Sequence, residues 1–176
     1  MLSHNDMYAR MKRAWRGSNR DGTLCGQGST RANTRIISNW LPVLCKEFDI
    51  HSVCDAGAGD LHWISHVEWD VDYQAFDLIP RSHSIGKLDI TKRALPKCDA
   101  ILCRMVLNHL DSKRIDMALT LFRKSAPYLI ATHFVGGGIQ RTTQFMRLDL
   151  TEILGEPISM SRDGHEENCR LALWEL

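Results

Sequence analysis

Nine consecutive residues, Ser52-Val53-Cys54-Asp55-Ala56-Gly57-Ala58-Gly59-Asp60, carry the clearest chemical signal in the chain. A largely apolar run ends in an acid, and two closely spaced glycines follow. The pattern predicts a buried strand that breaks into a glycine turn. Glycine lets backbone N–H groups approach a ligand closely, because no side chain holds it away. Further polar residues end later apolar runs: Asp77 closes Val71–Asp77, Asp89 lies in Ile85–Ile90, and Arg104 closes Asp99–Arg104. His109 follows shortly after Arg104, and His133 falls near the end of Tyr128–Phe134.

The acid beside the turn discriminates between cofactors. A dinucleotide brings a pyrophosphate, which the Asp55 carboxylate would repel. S-adenosylmethionine (SAM) brings an ammonium and a sulfonium, which it attracts. The dinucleotide fingerprint also needs a third glycine at position 62 for helix–strand packing, and that residue is His62. Asp77 follows the turn at the distance expected of a ribose-binding acid. Asp89 can accept from an adenine amino group, with Leu78, Ile79 and Ile90 as apolar walls.

Positioning these groups requires a sheet. Asn33 to Phe48 has helical apolar spacing, interrupted by Pro42. Strands are expected at Ile50–Asp55, Val71–Asp77, Ile85–Ile90, Asp99–Arg104 and Tyr128–Phe134, with helices over Asp60–Val67 and Lys113–Ser125. Pro157–Ser161 and Cys169–Trp174 read as a closing antiparallel hairpin. Gly136 to Gly138 is either a hinge or a plain loop. The alternation predicts a single α/β domain: a mostly parallel sheet, helices on both faces and a C-terminal antiparallel hairpin. Ligands of such sheets bind at the carboxyl ends of the strands, where Asp55, Asp77, Asp89 and Arg104 all fall.

Composition excludes several classes. The formal net charge of +1 gives the whole chain no strong pull toward nucleic acid or membrane. From Met1 to Arg35, however, seven basic residues face two acids, so residues 1–32 read as a basic arm and Gly/Ser/Thr loop preceding the domain at 33–176. The six cysteines are single, with no Cys-x-x-Cys pair, which argues against zinc. His62 and His66 share a helical spacing but lack a third ligand, so no metal is expected. No signal peptide or spanning segment is evident, and a cytoplasmic location is expected, the host's if the chain is phage-encoded.

Asp55-Ala56-Gly57-Ala58-Gly59, Asp77, Leu88-Asp89 and the segment CDAILCRMVLNHL (98–110) together resemble a class I SAM-dependent methyltransferase. The resemblance covers about Asn33 to Phe134. Within that group the chain is similar to small phage and bacterial methyltransferases of unassigned substrate, sharing Gly28-Ser29-Thr30, Asn33-Thr34 and the ending LALWEL. The resemblance implies that Asp55, Gly57 and Gly59 hold the methionine part of SAM, with Asp60 beside them. It implies that Asp77 holds the ribose, that Asp89 and Ile90 flank the adenine, and that Cys103 and Arg104 stand beside the methyl group. Leu61 occupies the place of the family's third glycine, and Met105 that of a frequent acid.

Methyl transfer needs alignment and, for a protonated nucleophile, a base. His109 and His133 are the base candidates, set against packed structural histidines. Arg104 can bind a substrate carboxylate or phosphate, or pair with an acid such as Asp60. The Asp/Asn-Pro-Pro-aromatic motif of amino-methylating DNA enzymes is absent after the fourth strand, and no Pro-Cys occurs. The expected reaction is methylation of an oxygen or nitrogen in a small molecule or glycan-like acceptor. The alternatives are a nucleic-acid or protein methyltransferase using the basic arm, and a SAM-binding or SAM-consuming phage protein without a methyl acceptor.

Overall fold

The computed structural model describes residues 21–137 and 146–176. The basic residues up to Arg20, and Gly138, lie outside the described residues. Seven strands form one sheet: β1 (Ser52–Ala56), β2 (Asp72–Asp77), β3 (Ile85–Lys87), β4 (Ala100–Cys103), β5 (Tyr128–Phe134), β6 (Ser159–Arg162) and β7 (Cys169–Glu175). Their order is β3-β2-β1-β4-β5-β7-β6. The first five pair in parallel, while β7 pairs antiparallel with both β5 and β6. The chain order reverses beside β1, so the carboxyl ends of β1 and β4 form the switch point where a ligand crevice opens.

Among the described residues, each face of the sheet carries one long helix. On one, α1 (Arg31–Glu47) buries Ile37, Leu41 and Leu44 against Val53, Leu102, Ile130, Leu171 and Leu173. On the other, α2 (Ser112–Phe122) buries Ile115, Leu119 and Phe122 against Ile101, Leu129, Ala131 and Trp174. Each fully buried large aliphatic side chain contributes roughly 1.5–3 kcal/mol. That packing carries α1 through Pro42, which leaves one carbonyl of the helix without its N–H partner. The helix starts at Arg31 rather than Asn33, because the Thr30 hydroxyl accepts from Asn33 N–H and Asp21 accepts from Arg31 N–H at 2.7 Å.

Two expectations need correction. The helix expected over Asp60–Val67 is a series of turns with one 3-10 turn at Ile64–His66. Leu61 has φ +60°, a left-handed conformation that no helix can pass through. The third strand ends at Lys87 instead of Ile90. The Asp89 carboxylate captures both the N–H and the hydroxyl of Thr91 and turns the chain away from the sheet. A short helix, α3 (Thr151–Leu154), precedes the terminal hairpin. None of the described helices is long and apolar enough to cross a membrane.

Candidate active site

The glycine turn is built against β2 and against the loop that follows β4. Gly57 has φ +101° and donates its N–H to Phe76 O at 2.8 Å. A Cβ at this position would stand 2.3 Å from Val106 Cγ2. Gly59 has φ +65°, and a Cβ there would stand 2.6 Å from Cys25 Sγ. Both positions therefore require glycine on backbone and steric grounds together. Gly59 N–H donates to Asp77 Oδ2 at 2.9 Å, and Ile79 N–H donates to Asp77 Oδ1 at 2.8 Å. Burial pushes the Asp77 carboxyl above its ordinary value, although those two N–H groups pull it back. Asp77 is thus clamped beside the turn with acceptor lone pairs to spare. Leu78 and Ile79 line its flank, half-buried.

Asp55, almost wholly buried, accepts a hydrogen bond from the Tyr73 hydroxyl at 2.6 Å. Burial drives its carboxyl up to about 7; the nearby Asp77 adds to that rise, while Tyr73 and Arg104 oppose it. A carboxyl so placed ionises readily when a cation arrives. Asp89 sits at the turn after β3 and is held below the usual range. Burial alone would raise it, but Thr91 and Lys92 outweigh that effect. Ile90 packs against the α2-side core.

Residues 21–30, expected as part of the arm and loop, run over this rim. Thr23 hydroxyl and Leu24 N–H both donate to Asp60 Oδ2, at 3.0 and 2.5 Å. Asp60 thus ties this segment down and does not cap a helix. Cys25 lies against Gly59, and its thiol is raised by burial and by the Asp60 and Asp77 charges. Arg104 pairs with Asp163, not Asp60: Nε to Oδ2 is 2.8 Å and Nη2 to Oδ1 is 2.9 Å, with both side chains buried. Its Nη2 also donates to Gly28 O at 2.7 Å, and its guanidinium lies 5.2 Å from the centre of the Trp63 ring. The Nε and Nη2 edges of Arg104 are therefore engaged within the protein, by Asp163 and by Gly28 O. Trp63 and Trp69 serve packing, the latter against Tyr73.

His109 ends a 3-10 turn (Leu107–His109) just beyond β4 and is half-buried. Cys103, in β4, is fully buried, and burial raises its thiol. His133 does not open onto the rim. It is 2 % exposed, packs edge-on against Trp174 and accepts Leu150 N–H at Nδ1, 3.3 Å away. Burial lowers its pKa, although the Asp149 and Glu156 charges pull the other way. The His62 and His66 rings meet edge-on at 6.3 Å, and no metal-holding cluster occurs among the described residues.

Four participants had no place in the sequence reading: Tyr73, Cys25, Asp163 and His165. Tyr73 lies two residues before Ala75, the register partner of Asp55, so strand alternation puts it on the same face as that acid. Asp163 meets Arg104 across 59 residues of sequence, and no local pattern signals the pair. His165 lies against Gly28, its Nδ1 3.1 Å from where a Cβ would stand. The His165 pKa is lowered by burial.

No protein-family model matches the chain, and no curated protein matches it. Solved structures match over nearly its whole length. The N-methyltransferase NodS from Bradyrhizobium japonicum WM9, in complex with S-adenosylhomocysteine, is similar with TM-score 0.68 and 15% identity, over 96% of this chain and 97% of that one. The 1,6-didemethyltoxoflavin-N1-methyltransferase of Burkholderia thailandensis, with 1,6-didemethyltoxoflavin and S-adenosylhomocysteine bound, gives 0.65 and 13%, over 99% and 91%. Magnesium protoporphyrin IX methyltransferase (ChlM) from Synechocystis PCC 6803, with SAM bound, gives 0.62 and 16%, over 98% of each chain. The strand order, the glycine turn and these matches together show that this chain has the Rossmann-like fold of the class I SAM-dependent methyltransferases.

Proposed function

We propose that the protein is a cytoplasmic SAM-dependent methyltransferase acting on an oxygen or nitrogen nucleophile of a small-molecule or glycan-like acceptor. The observation that carries this reading is the Gly57–Gly59–Asp77 cradle. Two left-handed glycines let the turn pack close against Val106 and Cys25, and the Asp77 carboxylate clamped beside them keeps acceptor lone pairs for a ribose. When bound, SAM supplies an electrophilic methyl group on its sulfonium. Asp77 accepts from the ribose hydroxyls. Asp55, steadied by Tyr73, faces the cationic methionine end, and Asp60 keeps residues 23–25 against the turn. Asp89, Ile90, Leu78 and Ile79 surround the adenine. His109, beyond β4, takes the acceptor's proton on a ring nitrogen. The similar solved structures support a small acceptor by their own descriptions, 1,6-didemethyltoxoflavin in one and magnesium protoporphyrin IX in another. Six free cysteines suit a reducing compartment.

Calorimetric titration with S-adenosylhomocysteine tests the cofactor. Saturable binding is expected, weakened about a hundredfold by Asp77→Ala, the size of losing two charge-assisted hydrogen bonds. Folded wild-type protein that binds neither SAM nor S-adenosylhomocysteine would sink the proposal. An acceptor screen with labelled SAM then tests His109, whose replacement by Gln should lower turnover and leave cofactor affinity alone.

A further inference from the structure

Asn108 is 2 % exposed, and neither its side-chain nitrogen nor its side-chain oxygen has a hydrogen-bond partner. Among the described residues it is the one side chain with both polar atoms buried and unmet. A buried carboxamide in that condition costs stability at both ends, whereas a leucine of similar volume would not. The backbone around it is fixed, so the position is imposed rather than accidental. Met105, at φ +57°, donates its N–H to the Thr132 hydroxyl at 2.8 Å. Asn108 O accepts Met146 N–H at 2.8 Å. Val106, between them, leans on Gly57 of the cofactor turn. Asn108 therefore lies beyond that turn, on the β5 side, where β4 meets the chain around Met146. Its neighbours in sequence and its backbone partner (Leu107, Leu110, Met146) belong to an apolar cluster. The cation of this rim, Arg104, is already neutralised by Asp163.

We propose that the Asn108 carboxamide reads the methyl acceptor, and that the acceptor presents a neutral planar edge with an N–H and a C=O side by side, as a lactam-type heterocycle or amide does. This inference rests on the methyltransferase reading. A carboxamide offers one donor direction and one acceptor direction in a single plane, and its bidentate complement is the same pair reversed. A carboxylate or phosphate supplies acceptors only, and would leave the Asn108 oxygen unmet in apolar surroundings. The cofactor's polar groups have their own partners in Asp55, Asp77 and Asp89. Asn108 is sealed in the ligand-free protein, so an acceptor reaches it only by displacing packed chain, a movement that the Met146 N–H to Asn108 O hydrogen bond resists. The unmet carboxamide offsets part of that resistance, because its two polar atoms gain partners once they are reached.

Asn108→Leu and Asn108→Asp test the assignment beside wild type. The readouts are melting temperature, S-adenosylhomocysteine titration, and ligand-observed NMR of the S-adenosylhomocysteine-loaded protein with uracil, 2-pyridone and 1,3-dimethyluracil. The first two probes carry the N–H/C=O edge; the third keeps the ring and lacks the N–H. Asn108→Leu should melt about 2–4 °C higher with cofactor affinity within about twofold. Both variants should bind uracil and 2-pyridone at least about tenfold more weakly, and 1,3-dimethyluracil should bind none of the proteins. A lower melting temperature for Asn108→Leu would make the carboxamide structural and overturn the proposal. So would a tenfold loss of cofactor affinity in that variant, equal binding of the methylated and unmethylated rings, or no binding of either edge-bearing probe to wild type. Wild type that fails to bind S-adenosylhomocysteine would remove the methyltransferase reading itself. That failure appears before any variant is compared.

Discussion

The two halves of the rim are held together in opposite ways. Around β1, β2 and β3 each acid is met by hydrogen-bond donors: Asp77 by the N–H groups of Gly59 and Ile79, Asp89 by the N–H and hydroxyl of Thr91, Asp55 by the Tyr73 hydroxyl, and Asp60 by His62 N–H together with Thr23 and Leu24. Around β4, β5 and β7 the polar groups depend on distant chain or on nothing. Arg104 needs Asp163 and Gly28, Met105 needs Thr132, and the Asn108 carboxamide has no hydrogen-bond partner. A half whose acids are already clamped by hydrogen bonds is preformed and suits a cofactor of constant shape. A half assembled from remote pieces can vary with the acceptor while the sheet stays the same.

The sharpest way to break this contrast is Arg104→Met. Losing one member of a buried pair strands the other, which costs about 3–5 kcal/mol. The urea midpoint should fall accordingly, and Arg104→Met with Asp163→Leu should recover most of it. If the single variant is as stable as wild type, the β4–β7 half is not organised by this pair. Gly57→Ala attacks the other half. A non-glycine residue at φ +101° costs about 1–3 kcal/mol in backbone strain, and the new methyl group collides with Val106. Cofactor affinity should drop at least about tenfold, and denaturant unfolding should register the strain. Retained affinity in Gly57→Ala would mean that the turn does not approach the ligand closely.

The same contrast explains what the sequence could reveal. Strand β5 was legible residue for residue, because Tyr128–Phe134 is a β-rich apolar run buried on both faces. The glycine turn, Asp77 and the terminal hairpin were legible because each is marked by its own short run: glycines after an apolar strand, an acid at a strand end, and two β-rich runs joined by a loop that begins Arg162-Asp163-Gly164. The expected helix at Asp60 was not realised, since Leu61 takes a left-handed conformation to close the turn on Ala58 O. Arg104–Asp163 and the packing of residues 23–28 over Gly59 join positions dozens of residues apart, and spacing carries no trace of them. His133 was read as a rim residue from its place near a strand end. Side-chain alternation and the chain at Leu150 bury it instead.

A pH comparison of Asp55→Asn with wild type sharpens the account of the preformed half. The folded carboxyl keeps its proton up to about pH 7, whereas an unfolded aspartate loses it near pH 4. Between these values the folded state binds more protons, so this group's contribution to stability declines as pH rises from about 4 to about 7 and is level above that. Denaturant unfolding across this range should show the decline in wild type and a flatter profile in Asp55→Asn. Parallel profiles would show that Asp55 is as well solvated folded as unfolded. Cofactor titration near pH 6.5 in buffers of different ionisation enthalpy should also reveal proton release, as the cationic ligand drives Asp55 to ionise.

The smallest effect belongs to His62→Gln, at the seam between residues 21–30 and the rim. His62 Nε2 lies 3.3 Å from Asp21 Oδ2, out of line for a hydrogen bond. Asp21 in turn accepts Arg31 N–H at the start of α1. Burial would raise the Asp21 carboxyl, but the Arg31 N–H and the His62 ring outweigh it and hold it low. Its stabilisation is therefore present above the ordinary aspartate range and lost as pH falls through the depressed value. Both side chains are partly exposed, so removing the imidazole should cost less than about 1 kcal/mol. Its signature should be local: faster hydrogen exchange at the Leu24 and Cys25 amides, which donate to Asp60 and Thr23, with β1 unchanged. Faster exchange spread into β1 would mean that residues 21–30 and the glycine turn open as one unit, and that the preformed half extends through the chain entering α1.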